Sequence, residues 1–291
     1  MASDFETQAR AANDKINART GRPLLRAIGV GLLLGGSLLV SLLIVKELYM
    51  LFAAVLIAFV AYELATALRF SGRDVPRVPT IVAAVAVVPA TFYWLDAGHW
   101  WVTLGGAAVI AVWRLVELAL PSGRASAKNV LLDIGAGVFI MAYVAFMAGF
   151  TVLLTAQDGG QLWTLAFLIV VVAVDTGAYA SGLAFGKHLM APTISPKKTW
   201  EGFAGSVAAA LIAGILCAIL LLHQPWWVGV VLALAMVLTA TSGDLAESLI
   251  KRDLGIKDIS SFLPGHGGFL DRLDSALLSG AVAYALFLIF T

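Results

Sequence analysis

The sequence predicts an all-α, polytopic integral membrane protein of about nine transmembrane helices, N-terminus inside and C-terminus outside. Three observations carry that prediction. Of the 291 residues, 60% are hydrophobic and 13% are charged, about half the charged share of an ordinary soluble domain. The apolar residues form long runs separated by shorter polar stretches. All but one of the 19 Lys and Arg residues, the exception being Lys46, fall in the N-terminal tail or at alternate connections, as the positive-inside rule requires. A soluble chain of this length cannot hide so much apolar surface, and the same composition excludes disorder. A net charge of +1 gives no bulk attraction to nucleic acid. The single cysteine, Cys217, allows neither an intrachain disulfide nor a cysteine-based zinc site.

Residues 1–25 read as a polar cytoplasmic tail without a cleavable signal-peptide pattern, so the first apolar run is expected to stay as an anchor. Spans follow near 27–45, 48–68, 78–95 and 98–118, which make residues 26–128 an N-terminal transmembrane part. Further runs near 129–155, 161–183, 201–222, 226–243 and 272–290 make 129–291 the C-terminal, catalytic part. Each approaches the ~20 apolar residues that a spanning helix needs. Gly135-Ala136-Gly137 and Gly202-Phe203-Ala204-Gly205-Ser206 suit close helix contacts, since small residues let backbones approach in lipid. Two connections exceed what a turn requires, the loops 184–200 and 244–270, and both lie on the side predicted to be cytoplasmic. The outer turns, 156–160 and 223–225, are short.

Ionisable residues inside spans are expensive and point to function by default. Here they are Glu63, Arg114, Glu117, Asp133, Asp175, Glu201, Asp244, Asp271 and Asp274, all in the inner half or at the inner end of their runs. Asp175 is the deepest, ~12 Å from the inner end at 1.5 Å per residue. That one-sided distribution describes a polar funnel open to the cytosol. An ion-coupled transporter, the non-enzyme alternative, would place its polar groups near the midplane within internal repeats, and the two halves of this chain show no repeat. Glu63 and the Arg114/Glu117 pair read as structural ion pairs or snorkelling ends; Asp133 stays open between structure and function.

The richest stretch runs from Gly243 to Ser275. On a helix, Asp244, Ser248 and Lys251 share one face, and Asp271, Asp274 and Ser275 share another. Clustered carboxylates and hydroxyls suit a hard cation, and Mg²⁺ is usually held by one or two carboxylates with water and substrate phosphate. Lys251, Arg252, Lys257 and Arg272 lie beside them, as phosphate-binding side chains would. Pro264-Gly265-His266-Gly267-Gly268 precedes the last helix and lets backbone approach a ligand. A second inner helix start is Ser195-Pro196-Lys197-Lys198-Thr199, with Thr199 as N-cap. Acid faces, basic side chains and helix N-termini together indicate phosphoryl or nucleotidyl chemistry. His266 reads equally as a base or as a hydrogen-bond donor.

From Ser248 to Asp274 the sequence resembles the signature of the phosphatidate cytidylyltransferases (CDP-diacylglycerol synthases). That signature is Ser-x-apolar-Lys-Arg, four residues, Lys-Asp, a small residue, Leu-Pro-x-His-Gly-Gly and Asp-Arg-x-Asp. Its fixed positions are filled by Ser248, Lys251, Arg252, Lys257, Asp258, Ser260, Leu263, Pro264, His266, Gly267, Gly268, Asp271, Arg272 and Asp274. Asp175-Thr-Gly-Ala-Tyr179 and Ile194 through Gly202 also look like that family's blocks, whereas before residue 170 only hydropathy agrees. The resemblance implies transfer of the cytidylyl group of CTP to phosphatidic acid, with Mg²⁺ and room for a second metal or a monovalent cation. It places metal ligation on Asp244 and Asp271, with Asp274 close by, and phosphate binding on Lys197, Lys198, Lys251, Arg252 and Arg272. It further implies a homodimer in a bacterial inner membrane. A CTP-dependent polyprenol kinase would share the nucleotide logic and stays open. A CDP-alcohol phosphotransferase would need an Asp-Gly-x-x-Ala-Arg run that this sequence lacks.

Overall fold

The computed structural model describes residues 24–119, 126–260, 262 and 267–291, with side chains from residue 33 onward except residue 34. Most of the predicted cytoplasmic tail, Arg124, Pro264 and His266 thus lie outside the described residues. The chain forms α1 (Leu24–Leu43), α2 (Lys46–Phe70), α3 (Arg77–Ala119), α4 (Ala127–Ala156) and α5 (Gly160–Phe185). A short hairpin of β1 (Leu189–Ala191) and β2 (Ser195–Thr199) follows, then α6 (Trp200–Leu221), α7 (Trp226–Asp253) and α8 (Leu270–Phe290). Among the described residues, seven helices, α2 to α8, are long and apolar enough to cross a membrane. Their outer faces carry large apolar side chains such as Val172, Leu183, Ile212, Leu220 and Ile289, a density that water-soluble proteins do not expose.

Helix α3 holds the two runs predicted at 78–95 and 98–118. Its backbone breaks at Leu95 (φ 49°, ψ −133°). A Cβ on Gly98 would meet the Ala90 carbonyl, and one on Gly106 would sit 3.0 Å from Ala83 Cβ. Residues advancing along one arm thus meet residues receding along the other, so α3 is an antiparallel hairpin. Helix α4 carries one π turn, Met141–Phe146, and α6 ends in another, Cys217–Leu221.

Small residues set the helix spacing around the site. On α5 and α6, a Cβ at Gly177 would lie 2.7 Å from both Ala209 Cβ and the Gly205 carbonyl oxygen. The Ser181 hydroxyl donates to Gly177 O within α5 (2.7 Å) and also reaches Glu201 O on α6 (3.1 Å). Gly214 on α6 meets Gly229 on α7, and Gly243 on α7 lies against the Asp274 carbonyl on α8. With no hydrophobic drive between helices in lipid, such backbone approaches supply the packing. Two apolar cores result. One joins α2, α3, the middle of α4 and the first turns of α8; the other joins the end of α4 with α5, α6, α7 and the later turns of α8.

The long connections differ from plain loops. Helix α7 continues through Asp253, so the first part of the stretch expected as loop 244–270 is helical and lifts its charges above the apolar run. Within 184–200 the two strands pair antiparallel, Leu189 opposite Thr199. Glu201 fastens that hairpin: its carboxylate accepts from the Lys187 and His188 peptide N–H groups (3.1 and 3.2 Å) and lies 2.6 Å from His188 Nδ1.

Candidate active site

A polar cavity of about 440 Å³ opens between α5, β2, α6, α7 and α8. Each wall follows from local sequence. Thr199 caps α6 as expected, its hydroxyl accepting from Gly202 N at 3.1 Å, so β2 ends where the helix starts and Ser195, Lys197 and Lys198 border the opening. The extension of α7 presents Asp244, Glu247 and Lys251 at helical spacing on one face. The first turn of α8 supplies Asp271, Arg272, Asp274 and Ser275, and α5 supplies Asp175 from below.

Charges in the cavity are paired crosswise. Lys198 Nζ lies 2.7 Å from Asp244 Oδ2 and so ties β2 to α7. Lys251 forms ion pairs with both Glu247 and Asp271, the latter at 2.9 Å, and so ties α7 to α8. Gly268 N donates to Asp271 Oδ2 at 2.7 Å. Gly267, with φ 82°, makes the turn that aims this peptide, a conformation that favours glycine. Glu247 is 1% exposed, and its Oε1 finds no hydrogen-bond partner among the described residues. A buried carboxylate oxygen without a partner is costly, so it marks a place where a ligand or ion would be welcome.

Of the residues expected from sequence, Asp175, Ser195, Lys197, Lys198, Thr199, Asp244, Lys251, Asp271, Arg272 and Asp274 all line this cavity. Others do not. Arg252 reaches away, its Nε donating to Ile194 O in the hairpin turn at 3.3 Å. Ser248 stands behind the wall, its hydroxyl 3.4 Å from Asp244 Oδ1. Lys257 is also outside the lining, as are Gly267 and Gly268, which lie against the Asp271 carboxylate. Asp258, a fixed position of the signature to which the residue pattern assigns no role, also lines the cavity, and so does Glu247, which the sequence reading leaves aside. Glu247 was readable: it lies three residues after Asp244 and four before Lys251.

The remaining intramembrane charges serve elsewhere. Glu63 is not in an ion pair among the described residues; it accepts from Ser260 Oγ (2.5 Å), Phe269 N and Leu270 N (both 3.0 Å). Arg114 joins Asp133 (2.7 Å), Glu117 (2.8 Å) and Asp74 (3.1 Å) in a network outside the cavity. The expected structural pair is there, and Asp133 belongs to it. A second cavity of about 200 Å³, walled by Tyr49, Phe52, Leu56, Ile57 and Leu277 among others, is apolar, and Arg272 borders both cavities.

Among the described residues the donor set of the lining is all oxygen, from aspartates, a glutamate and hydroxyls, without His or Cys. That chemistry fits a hard cation such as Mg²⁺. Among the described residues no three of these side chains already converge on one metal position, consistent with a cation whose shell is completed by substrate phosphate. The lysines and Arg272 beside them suit phosphate.

Fold and cavity thus define a class: a helical membrane protein with a polar, acid-and-base-lined cavity suited to a phosphorylated ligand, set beside an apolar one. Comparison with known proteins narrows the class. The model of the cytidylyltransferase family matches residues 26–290, and the chain belongs to that family. It is 40% identical over 273 residues to the phosphatidate cytidylyltransferase of Mycobacterium bovis, covering 92% of this chain and 89% of that protein. The Mycobacterium leprae protein of the same name is 38% identical over 289 residues, covering 96% and 92%. That of Brucella suis is 42% identical over 156 residues, covering 53% of this chain and 57% of its own.

Proposed function

We propose that this protein is an enzyme that transfers the cytidylyl group of CTP to phosphatidic acid, giving CDP-diacylglycerol and pyrophosphate for phospholipid synthesis. The observation that carries this reading is the match over nearly the whole chain to proteins of that name. The cavity supports it with chemistry of the required kind, carboxylates beside lysines and an arginine.

The reaction forms a bond between a phosphate oxygen of phosphatidic acid and the α-phosphorus of CTP, and breaks the bond to the β-phosphate oxygen. Positioning and charge neutralisation are the main tasks in such transfers. Lys197 and Lys198 at the hairpin edge of the cavity are placed to receive the triphosphate as it enters from the cytosol. Lys251, held between Glu247 and Asp271, keeps a positive charge at the centre, where charge develops on the leaving pyrophosphate. Arg272 borders the apolar cavity as well, so it is the residue suited to the lipid phosphate while an acyl chain lies among Phe52, Leu56 and Leu277. Asp244, Asp271 and Asp274, with Glu247 nearby, are the residues we assign to holding Mg²⁺. The ion, when bound, neutralises triphosphate charge and polarises the reacting phosphorus.

Nine spans belong to this reading, reached by counting the two arms of α3 separately and including α1. Lys46 supports the orientation: it donates to Gln157 O (2.7 Å) and lies 3.6 Å from Asp158, so the one basic residue assigned outside meets a turn assigned outside. A bacterial inner membrane, a cytoplasmic active site and the homodimer implied by the resemblance complete it. The test is purified protein with CTP labelled in the α-phosphate and, separately, in the γ-phosphate, offered phosphatidic acid, polyprenol or diacylglycerol. The reading expects label from the α-phosphate in a lipid product from phosphatidic acid only. Transfer of the γ-phosphate to an alcohol would establish a lipid kinase instead.

A further inference from the structure

The N-terminus of α8 carries Asp271, yet no side chain of α8 itself accepts from the Phe269 and Leu270 peptide N–H groups. Those donors point to Glu63 on α2, a carboxylate 1% exposed. Oε1 accepts from Phe269 N and from Ser260 Oγ, and Oε2 accepts from Leu270 N. The next donor back, Gly268 N, goes to Asp271 itself. Three consecutive peptide N–H groups are thus divided between two carboxylates, one in the cavity and one behind it. The fit is close: a Cβ on Gly268 would lie 2.9 Å from Glu63 Oε2 and 3.1 Å from Asp271 Oδ2. Phe59, one turn before Glu63, stacks on Phe269 at 4.7 Å and 16°, and Phe59 and Tyr62 both meet Phe262 edge-on. One face of α2 therefore grips the chain on both sides of the turn that enters α8.

We propose that Glu63 is a positioning residue for the cytidylyl transfer, a remote cap that fixes the entry of α8 and thereby the place of Asp271 against Lys251. This rests on the reading of the Asp271 cavity as the active site. A helix N-terminus favours a carboxylate, and the usual donor of one is a residue at the cap itself. Here the cap comes from the N-terminal half of the chain, so the position of the catalytic face depends on a helix that contributes no side chain to the cavity lining. Glutamine tests it with little change of shape. Its amide keeps one acceptor oxygen but turns an NH₂ toward a peptide N–H or a hydroxyl, so at least one of the three donors loses its partner.

The experiment compares the unmodified protein with Glu63→Gln and Glu63→Asp in detergent. It measures kcat, KM for CTP, the half-saturating Mg²⁺ concentration, and hydrogen exchange of the segment 267–275. Expected for Glu63→Gln are a kcat lower by about 10-fold or more, a half-saturating Mg²⁺ concentration raised several-fold, and exchange at Phe269 and Leu270 faster by 10-fold or more. Glu63→Asp, which keeps the charge, should recover part of kcat. A merely structural role predicts a lower melting temperature with kcat per folded molecule and Mg²⁺ dependence unchanged, and that result would overturn the proposal. So would unchanged exchange at Phe269 and Leu270 in Glu63→Gln. Absence of product from the unmodified protein would instead refute the functional reading, whereas normal turnover in both proteins would refute only the role given to Glu63.

Discussion

Replacing Arg114 by Leu separates stability from catalysis. The guanidinium side chain is 8% exposed and donates to Asp133 Oδ2 through both Nε (3.1 Å) and Nη2 (2.7 Å). Its other partners, Asp74 and Glu117, keep 53% and 39% side-chain exposure, so losing them costs little, as for surface pairs generally. Asp133 decides the outcome. Its side chain is 4% exposed, and without Arg114 it retains the Asp74 peptide N–H at 2.9 Å. Stranding a buried carboxylate in this way costs about 3–5 kcal/mol. At ~2–4 °C per kcal/mol for chains of comparable size, the unfolding midpoint should fall by on the order of 10 °C. The double replacement Arg114→Leu/Asp133→Leu removes the stranded charge and should restore more than half of that. The assay is thermal loss of monodisperse protein in detergent, with CDP-lipid formation per folded molecule alongside. Activity per folded molecule should hold, because none of the network lines the cavity. A single variant within ~2 °C of the unmodified protein, or a double variant no better than the single, would refute the reasoning.

Three further perturbations follow from the site and the bundle. Lys251→Met leaves Glu247 and Asp271 facing each other with no cation between them, so turnover should fall on the order of 10²-fold and the midpoint should drop; adding Glu247→Gln should recover the midpoint and leave turnover low. Gly243→Ala puts a methyl against the Asp274 carbonyl, 3.1 Å from its carbon and 3.3 Å from Ser275 Cα. It should part α7 from α8 and cut activity by about 10-fold or more, while Gly105→Ala, with nothing within 4 Å, should stay near unmodified activity. A topology reporter fused after Thr291 should read outside and one inserted between Arg73 and Arg77 inside; an inside reading at Thr291 would refute the span count.

What the sequence disclosed depended on whether the information was local. Thr199 as a cap and the apolar runs are local, and the structure has both. The break at Leu95 matches the gap between two runs, with Gly98 giving the room the two arms need. Helix α7 outlasts its hydropathy, which stops at Gly243 although the helix runs to Asp253. Its last turns are stabilised instead by ion pairs such as Lys251 with Glu247 and by basic residues at the C-terminal end. Arg252 shows why adjacency in a motif is not adjacency in a site. One residue along a helix is about 100° around it, so Lys251 faces the cavity and Arg252 faces the hairpin turn. Glu63 stands out in the sequence as a charge within a span, but its partners do not: they lie about two hundred residues away, and no spacing rule connects them.

The central claim is that the Asp271 cavity performs the transfer, and Asp271→Asn tests it most directly. Asparagine preserves shape and removes the charge that pairs with Lys251 and that we assign to Mg²⁺ binding. The measurement is CDP-diacylglycerol formed from labelled CTP and phosphatidic acid against Mg²⁺ concentration, with a melting curve of the same preparation. The account predicts a folded protein whose turnover is lower by on the order of 10² or more. Near-normal turnover with unchanged Mg²⁺ dependence would contradict it.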